Sequence, residues 1–352
     1  MVAPPDNRYV RRVACILGLP VDIIDTDEAV ARVRSAARTG TRLFLSTPNL
    51  NFAIAALSDE AFRDSVLESD LSVADGISLL WVGRLLGVPF PERVAGSTLL
   101  ERLRAGPGED PIRVYFFGGE EGVAEAAAAR VNAEPCGIRC VGWQSPGFGT
   151  VQEMSAPERI ARINESGAQF LIVALGARKG QAWIRRNLDD LAVPVVSHLG
   201  AALNFVAGRL DRAPPALQSL GLEWLWRIKE EPQLWSRYFR DGLALARLVV
   251  LRVLPLARLS SSSASARPTP SIHHDPDGDV RVSLGGMSHL SPDQVGDLLL
   301  VFGRQRRLRR KLRIDGLAPQ TRRVIALSCA EFLLGDGQAG AEREPGEAKV
   351  PT

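Results

Sequence analysis

Three short segments place polar residues directly behind an apolar run, where a parallel sheet gathers the side chains that bind ligands. The segments are STPNLNF, ADGIS and GARKGQAW, which begin at residues 46, 74 and 176. In ADGIS, Asp75 is followed by Gly76, and a glycine lets a backbone or a ligand approach closely. An aspartate there serves as a general base if partial burial lifts its pKa toward neutrality. A helix N-cap for ISLLWVGRLLG is the alternative role.

Two further features of these loops suit a ligand. Thr47 and Asn49 offer neutral hydrogen bonds with little conformational freedom, as sugar hydroxyls require, and an ordinary strand-to-helix cap is their alternative role. In FFGGEEGVAEAAA, Gly118 and Gly119 resemble a phosphate-binding turn at a helix N-terminus. The two glutamates that follow weaken this interpretation, because they already satisfy the positive end of the helix dipole and would repel a phosphate.

A sheet must position these loops. Short apolar runs alternate with amphipathic stretches over the first 215 residues, and several runs lack a clean alternation of polar and apolar residues. That pattern is typical of strands covered by helices on both faces. The candidate strands are residues 42–47, 71–75, 113–118, 138–143, 170–175 and 193–199. Their βαβα order predicts an α/β fold with an open parallel sheet.

Composition excludes several classes of protein. With 352 residues, 45% of them hydrophobic, the chain is long enough for one large domain and a small one. Its net charge of +3 is too small to indicate a nucleic-acid partner. Its four cysteines and four histidines do not complete a set of zinc ligands, so we expect a reducing compartment and no metal site. Arg11 and Arg12 precede an apolar run that is too short for an export signal.

Two acidic motifs resemble metal sites. Asp25-Thr26-Asp27 matches a D-x-D motif, but it precedes EAVARVRSAAR, so we interpret it as a helix cap. Residues 275–279, DPDGD, resemble a calcium loop without the terminal glutamate, and we interpret them as a solvated turn.

The sequence GLALARLVVLRVLPLARL, which ends at Leu259, is apolar but interrupted by arginines and too short to span a bilayer. On a helical wheel Arg240, Arg247 and Arg258 share one face, and leucine and valine cover most of the rest. This predicts a helix that lies in the membrane interface. A helix docked on the protein's own core is the alternative.

The chain ends in a small second unit. Residues 260–275, SSSSASARPTPSIHHD, contain too little apolar surface to fold. Beyond them, VRVSLGG, SPDQVGDLLLVFGRQRRLRRK, LRIDGL and APQTRRVIALSCAEFLL indicate strand, helix, strand and helix. This unit weakly resembles a STAS domain, with Thr321 as a candidate phosphoacceptor. Its run RQRRLRRKLR is interpreted as a solvated face, with an acidic partner or a nucleic acid as alternatives.

Together, the motifs STPNLNFAIAA, ADG, RVAGSTLL, YFFGGEEGVAEAAA, LGARKGQAW and LGAALNFVAGRLDRAPPALQSLGLEWLWRIKEEPQLWSRY resemble the WecG/TagA/CpsF glycosyltransferases, in order from about residue 13 to 242. The resemblance implies a Rossmann-like fold and inverting transfer of an N-acetylmannosamine-type or related hexose, without metal or cofactor. The implied donor is a UDP-sugar, and the acceptor is a polyprenyl-diphosphate-linked sugar. The implied location is cytoplasmic, peripherally attached to the inner face of the bacterial membrane.

The resemblance also implies roles for individual residues. Asp75 falls on the catalytic base. The expected substrate-binding residues are Thr47, Asn49, Arg93, Gly118, Gly119, Lys179, Gln181, Asn204, Arg212, Arg227 and Arg237. Transfer builds negative charge on the departing diphosphate, and the planar forks of arginine side chains suit its oxygens.

The chain departs from the family pattern in places. Members usually read G-x-P-K-Q-E-x-W where this chain reads GARKGQAW, so Arg178, Gly180 and Gln181 replace a proline, a glutamine and a glutamate. Asn204 replaces a common aspartate, and Leu234 an arginine. The altered loop supports an alternative function, a catalytically degenerate sugar-nucleotide-binding protein that acts through its STAS-like module. A nicotinamide-dependent oxidoreductase would require G-x-G-x-x-G, which the turn at Gly118 does not match.

These observations divide the chain into five parts. They are a catalytic α/β domain with helices on both faces of its sheet (1–215), a helical membrane-associating appendage (216–259), a disordered linker (260–278), a small separate STAS-like α/β domain (279–336) and a disordered tail (337–352). A protein partner of the small domain and self-association into a homo-oligomer are left open.

Overall fold

A computed structural model describes residues 11–134, 136–214, 217, 221–261, 271–274, 279–285, 287 and 289–335. The predicted tail, 337–352, and most of the predicted linker lie outside these residues. The first eight strands are β1 (Val13–Ile16), β2 (Leu19–Asp22), β3 (Leu43–Ser46), β4 (Leu71–Ser72), β5 (Ile112–Gly118), β6 (Ile138–Gln144), β7 (Phe170–Ala174) and β8 (Val195–His198).

Six of these strands form the central sheet, in the order β4-β3-β8-β7-β5-β6. All of its pairs are parallel. Each of the six candidate strands contributes to it, so the predicted α/β fold with a parallel sheet is confirmed. The order of the strands brings the loops after β3, β4, β7 and β8 to one edge.

Helices cover both faces of the sheet. They are α1 (Thr26–Thr39), α2 (Leu50–Ser58), α3 (Glu60–Leu67), α4 (Ile77–Leu85), α5 (Gly96–Arg104), α6 (Val123–Ala133), α7 (Val151–Met154), α8 (Pro157–Glu165), α9 (Ala177–Asn187) and α10 (Gly200–Ala207). Successive side chains of a strand point to opposite faces. In β5, Phe116 therefore packs in the core under α1, α5 and α6, whereas Phe117 packs in the core under α8 and α9. Asp25 caps α1 by accepting a hydrogen bond from the Glu28 amide (2.8 Å), as interpreted from the sequence.

The segment after Arg11 and Arg12 forms the antiparallel hairpin β1-β2, which is buried throughout. Its turn lies at Leu17 and Gly18, both with positive φ. Gly18 has no room for a side chain, because a Cβ there would lie 2.4 Å from the carbonyl oxygen of Cys329. The tip of the hairpin therefore touches the C-terminal unit.

The C-terminal unit contains α14 (Pro292–Arg307) and α15 (Pro319–Leu327), with the strands β9 (Ser271–His274), β10 (Val280–Ser283) and β11 (Leu312–Asp315). They form a separate sheet, in the order β11-β10-β9. The predicted strand, helix, strand and helix are confirmed. Residues 271–274 were predicted to belong to a disordered linker, and this was wrong, because they pair antiparallel with β10. Of the DPDGD segment, residues 275–278 lie outside the described part of the chain.

The small sheet is separate, but its core is not. Residues of β10, α14 and α15 share one hydrophobic cluster with β1, β2, α2, α3 and α4. The backbones approach closely enough that a Cβ at Gly303 would lie 2.0 Å from the carbonyl oxygen of Leu67. The C-terminal unit therefore completes the core beneath the hairpin and the helices α2, α3 and α4.

The structure bears on two predictions for this unit. The charged residues of the basic run are exposed, as predicted. Two of them also bind this chain, because Arg306 pairs with Asp64 (2.5 Å) and Arg307 with Asp70 (3.2 Å). An acidic partner molecule stays an alternative. Thr321 is fully buried and donates its hydroxyl hydrogen bond to the Met287 carbonyl, which conflicts with a role as phosphoacceptor in the folded protein.

The appendage consists of α11 (Glu223–Glu230) and a longer helical segment made of α12 (Trp235–Leu248), a π-helical turn (Val249–Val253) and α13 (Leu254–Ser261). One face of the longer segment packs on the core through Leu248, Val253 and Leu256. The opposite face exposes Trp235, Phe239, Leu243, Val250 and Leu251. Docking on the protein's own core, the alternative considered from the sequence, is thus confirmed for one face, and the interfacial position of the other face stays a prediction. Within the described part of the chain, no helix is long and apolar enough to cross a membrane.

Candidate active site

A cleft of about 1320 Å³ opens at the carboxyl edge of the central sheet. Residues that follow β3, β4, β5, β7 and β8 form its floor, and α11 and α12 of the appendage form part of its wall. Several residues predicted from the sequence meet here. Those that line the cleft are Thr47, Asn49, Asp75, Arg93, Gly119, Lys179, Asn204, Arg227 and Arg237.

Asp75 lies in the loop after β4, where its backbone amide donates to the Pro48 carbonyl (2.9 Å). The following helix, α4, is capped by Gly76 without any side-chain hydrogen bond. The N-cap role considered for Asp75 is therefore wrong. Asp75 lines the cleft instead. The backbone amide of Gly96 donates a hydrogen bond to its carboxylate.

The environment of Asp75 makes it a stronger base than an ordinary aspartate. Burial away from water raises its pKa to about 6. Arg93 opposes that rise, the Glu223 carboxylate adds to it, and the Gly96 amide and Arg227 oppose it more weakly. At neutral pH the group is mostly ionised, and it still accepts a proton more readily than an exposed aspartate does.

The appendage reaches the surroundings of Asp75 through an ion pair. Arg93 donates to Glu223 of α11 at 2.8 Å, and both side chains are largely buried. The loop that carries Arg93 is fixed to the loop of Asp75, because the Val94 amide donates to the Ala74 carbonyl (2.9 Å). Removing α11 would therefore change the charge beside Asp75 as well as open the cleft.

The other cations of the cleft are held in part by neighbouring groups. Arg227 pairs with Glu231 at 3.0 Å, one turn along α11. Arg237 stacks on Tyr238, and its Nε is buried without a hydrogen-bond partner among the described residues. Lys179 donates from Nζ to the Gly149 carbonyl (2.8 Å).

Two polar residues after β3, Thr47 and Asn49, line the cleft, and Asn49 also caps a helix. The side chain of Asn49 caps α2 by accepting from the Phe52 amide (3.2 Å), so its alternative role as a cap is confirmed. Its side chain still lines the cleft, as does that of Thr47, which is 5% exposed. The side-chain nitrogen of Asn49 is not used by this cap, so it can donate a hydrogen bond to a ligand in the cleft.

The glycine turn is held by its backbone. Gly118 and Gly119 have φ angles of 105° and 82°, and the Gly119 amide donates to the Ala174 carbonyl (2.7 Å). Although described, Gly118 does not line the cleft, so its predicted ligand contact is not found. It is needed for packing, because a Cβ there would lie 2.5 Å from the Ala174 oxygen. The two glutamates after the turn are exposed at the rim.

Gln181 and Arg212 are also described and lie outside the cleft lining. Gln181 is fully buried and donates from Nε2 to the Ser46 hydroxyl (3.0 Å), so it ties α9 to the end of β3. Arg212 pairs with Glu101 of α5. Both residues were predicted to bind the substrate in the pocket. The structure instead places them outside its lining, where they hold elements of the fold together.

Sequence reasoning overlooked several ionisable residues of the cleft, Glu223 and His198 among them. Glu223 lies beside Asp75, and only the tertiary fold brings it there. His198, the last residue of β8, also lines the cleft. Its signal was available, since it is a polar residue at the carboxyl end of a candidate strand, as Asp75 is.

Comparison with protein families agrees with this architecture. The sequence profile of the Glycosyl transferase WecG/TagA/CpsF family matches residues 14–258, which span the hairpin, the central sheet and most of the appendage. The C-terminal unit lies beyond the matched range. Members are glycosyltransferases of cell-surface polymer synthesis, which implies a nucleotide-sugar donor and a lipid-linked acceptor. Because the match covers well over half of its length, the chain belongs to the WecG/TagA/CpsF glycosyltransferase family.

Proposed function

We propose that the protein transfers an N-acetylmannosamine-type or related hexosyl group from a UDP-sugar to a polyprenyl-diphosphate-linked sugar, with inversion and without a metal. The observation that carries this proposal is the carboxylate of Asp75, raised in pKa to about 6 at the floor of a cleft lined by arginines. A base and several cations are what a transfer from a nucleotide diphosphate needs at one place.

The reaction follows from these groups. Asp75 takes the proton of the acceptor hydroxyl as that oxygen attacks the anomeric carbon of the donor. The bond from this carbon to the diphosphate oxygen breaks on the opposite face, so the configuration inverts and UDP leaves with the bonding electrons. One proton moves to Asp75, and no oxidant or reductant is consumed.

Cations compensate the charge that builds on UDP. Arg93, Arg227 and Arg237 line the same cleft as the base. The unpartnered Nε of Arg237 supports an anionic ligand, because a buried donor without an acceptor is unfavourable. Arg93 and Arg227 would exchange their present carboxylate partners, Glu223 and Glu231, for phosphate oxygens.

We further propose that the exposed face of α12 and α13 holds the enzyme at the cytoplasmic membrane surface. Phe239 is 63% exposed and Leu243 66%, with Arg240 and Arg247 exposed beside them. Apolar side chains flanked by arginines suit insertion among acyl chains below anionic headgroups. A lipid-linked acceptor would then be presented next to the wall of the cleft that α11 and α12 form.

Product analysis tests the proposed reaction. The full-length protein is incubated with a panel of UDP-hexoses and polyprenyl-diphosphate-linked sugar acceptors, and the lipid products are measured by mass spectrometry. We expect one acceptor to gain the mass of one hexosyl residue, with stoichiometric release of UDP. Binding of a UDP-sugar without any product or UDP release would instead favour the catalytically degenerate sugar-nucleotide-binding protein.

A further inference from the structure

His198 is a buried polar group that the proposed reaction does not yet use. It ends β8 and is 9% exposed, and what remains exposed lines the cleft. Its Nε2 is buried and has no hydrogen-bond partner among the described residues. Leaving such a nitrogen unpaired is unfavourable, and because the atom is buried, the ring must turn for a ligand in the cleft to pair with it.

The ring is neutral where it lies. Burial lowers the pKa of His198 to about 4, because desolvation disfavours the imidazolium. A neutral imidazole carries one donor and one acceptor. It therefore suits a hydroxyl or an amide of a ligand better than it suits a phosphate.

Gly180 makes the room that this ring occupies. A Cβ at Gly180 would lie only 2.2 Å from Cδ2 of His198, so no other residue fits there without moving the ring. The imidazole from β8 therefore fills the space beside α9 that the missing side chain leaves open.

The order of the strands fixes where the ring lies relative to the base. β8 lies between β3 and β7, with β4 beyond β3 and β5 beyond β7. Asp75 follows β4, and the glycine turn follows β5. His198 at the end of β8 and Asp75 after β4 therefore open at the same edge of the sheet and line one cleft.

We infer that His198 recognises the hexosyl group of the donor through a hydrogen bond to a hydroxyl or to the acetamido group, and that Gly180 is needed to hold the ring there. This inference rests on the proposed function. It assigns donor selection to His198 and to the glycine that leaves room for its ring.

Calorimetric titration of the full-length protein with UDP-N-acetylmannosamine and with UDP tests the inference. For His198→Ala we expect the affinity for UDP-N-acetylmannosamine to fall about tenfold and that for UDP to stay within about twofold. His198→Gln places an amide beside Gly180, and we expect it to recover part of the lost affinity for UDP-N-acetylmannosamine. Gly180→Ala should reproduce the loss by displacing the ring, and it should add nothing in the His198→Ala background.

The possible outcomes separate cleanly. Wild-type affinity of His198→Ala for UDP-N-acetylmannosamine would overturn the inference and leave the proposed function intact. An equal loss for UDP and for UDP-N-acetylmannosamine would also overturn it, because the residue would then serve the nucleotide or the packing. A wild-type protein that binds UDP but not UDP-N-acetylmannosamine would refute the proposed donor, and the inference with it. If His198→Ala does not fold, His198→Gln and Gly180→Ala carry the same comparison.

Discussion

Asp75 acquires its basicity from residues that are far apart in the sequence. The loop after β4 supplies the carboxylate, and burial raises its pKa to about 6. Arg93 and Glu223 then act on it in opposite directions, and they also bind each other at 2.8 Å. The strength of the base therefore depends on the appendage being closed over the sheet.

The pH dependence of the reaction should report this base. Because Asp75 must be ionised to accept a proton and its pKa is about 6, kcat/KM should be level above that pH and fall about tenfold per unit below it. Initial rates of UDP release between about pH 4 and pH 8, about two units to either side of that pKa, measure it. Thermal melts over the same range control for unfolding. A profile without an acid limb would contradict the assignment.

Glu223 should influence the pH at which the acid limb of the kcat/KM profile lies. Its carboxylate raises the pKa of Asp75, so Glu223→Gln should lower that pKa and move the acid limb to lower pH. Glu101→Gln is the matched control, because Glu101 pairs with Arg212 outside the cleft lining and should leave the limb in place. An unmoved limb in Glu223→Gln would show that the appendage does not act on the base.

Part of the site could be predicted from the sequence by one rule. Polar residues behind an apolar run lead to Thr47, Asn49 and Asp75, and all three line the cleft. The rule does not fix the rotation of a helix. Lys179 and Gln181 lie two residues apart on α9, about 200° around its axis, so one faces the cleft and the other the core. Glu223 could not be found, because only tertiary structure brings α11 to Asp75.

At the scale of elements, the sequence predicted the central strands well because their apolar runs are distinct. It missed the hairpin β1-β2, whose residues are mostly apolar and show no alternation. It also predicted disorder at Ser271–His274, where Ile272 is 50% exposed. That strand is formed by backbone pairing with β10 rather than by burial of side chains, and composition does not report such pairing.

The longer helical segment of the appendage has one buried and one exposed apolar face, and the exposed face leads to a prediction. The double change Phe239→Ser and Leu243→Ser removes apolar surface that is exposed, so stability should hold and binding to anionic vesicles should fall at least about tenfold. Flotation with vesicles of phosphatidylglycerol and phosphatidylethanolamine measures it. Leu308→Ser is the control, since Leu308 is 48% exposed but lies on the C-terminal unit. Unchanged flotation of the double variant would contradict membrane attachment through this face.

The whole molecule is held together across the boundary of the family match. The match ends at residue 258, yet α14 packs on the hairpin and on α3. Asp64 of α3 is 1% exposed and relies on Arg306 at 2.5 Å. The predicted division into a catalytic and a separate small domain therefore holds for the sheets but not for the core.

Breaking that contact should destabilise the catalytic region. Arg306→Ala leaves a buried carboxylate short of its closest cation and should lower the free energy of unfolding by about 2 kcal/mol. Arg304→Ala, on the same helix and exposed, should change it by less than about 0.5 kcal/mol. Denaturant unfolding followed by tryptophan fluorescence compares the two. Equal stability of both variants would show that the unit contributes no support through this pair.

The transfer rate of Asp75→Asn, set against its donor affinity, tests the central claim most directly. The amide keeps the shape of the side chain but cannot take a proton, so binding of the UDP-sugar should stay within about threefold while transfer falls by about a factor of 10³. Undiminished turnover by Asp75→Asn would contradict the assignment of Asp75 as the base.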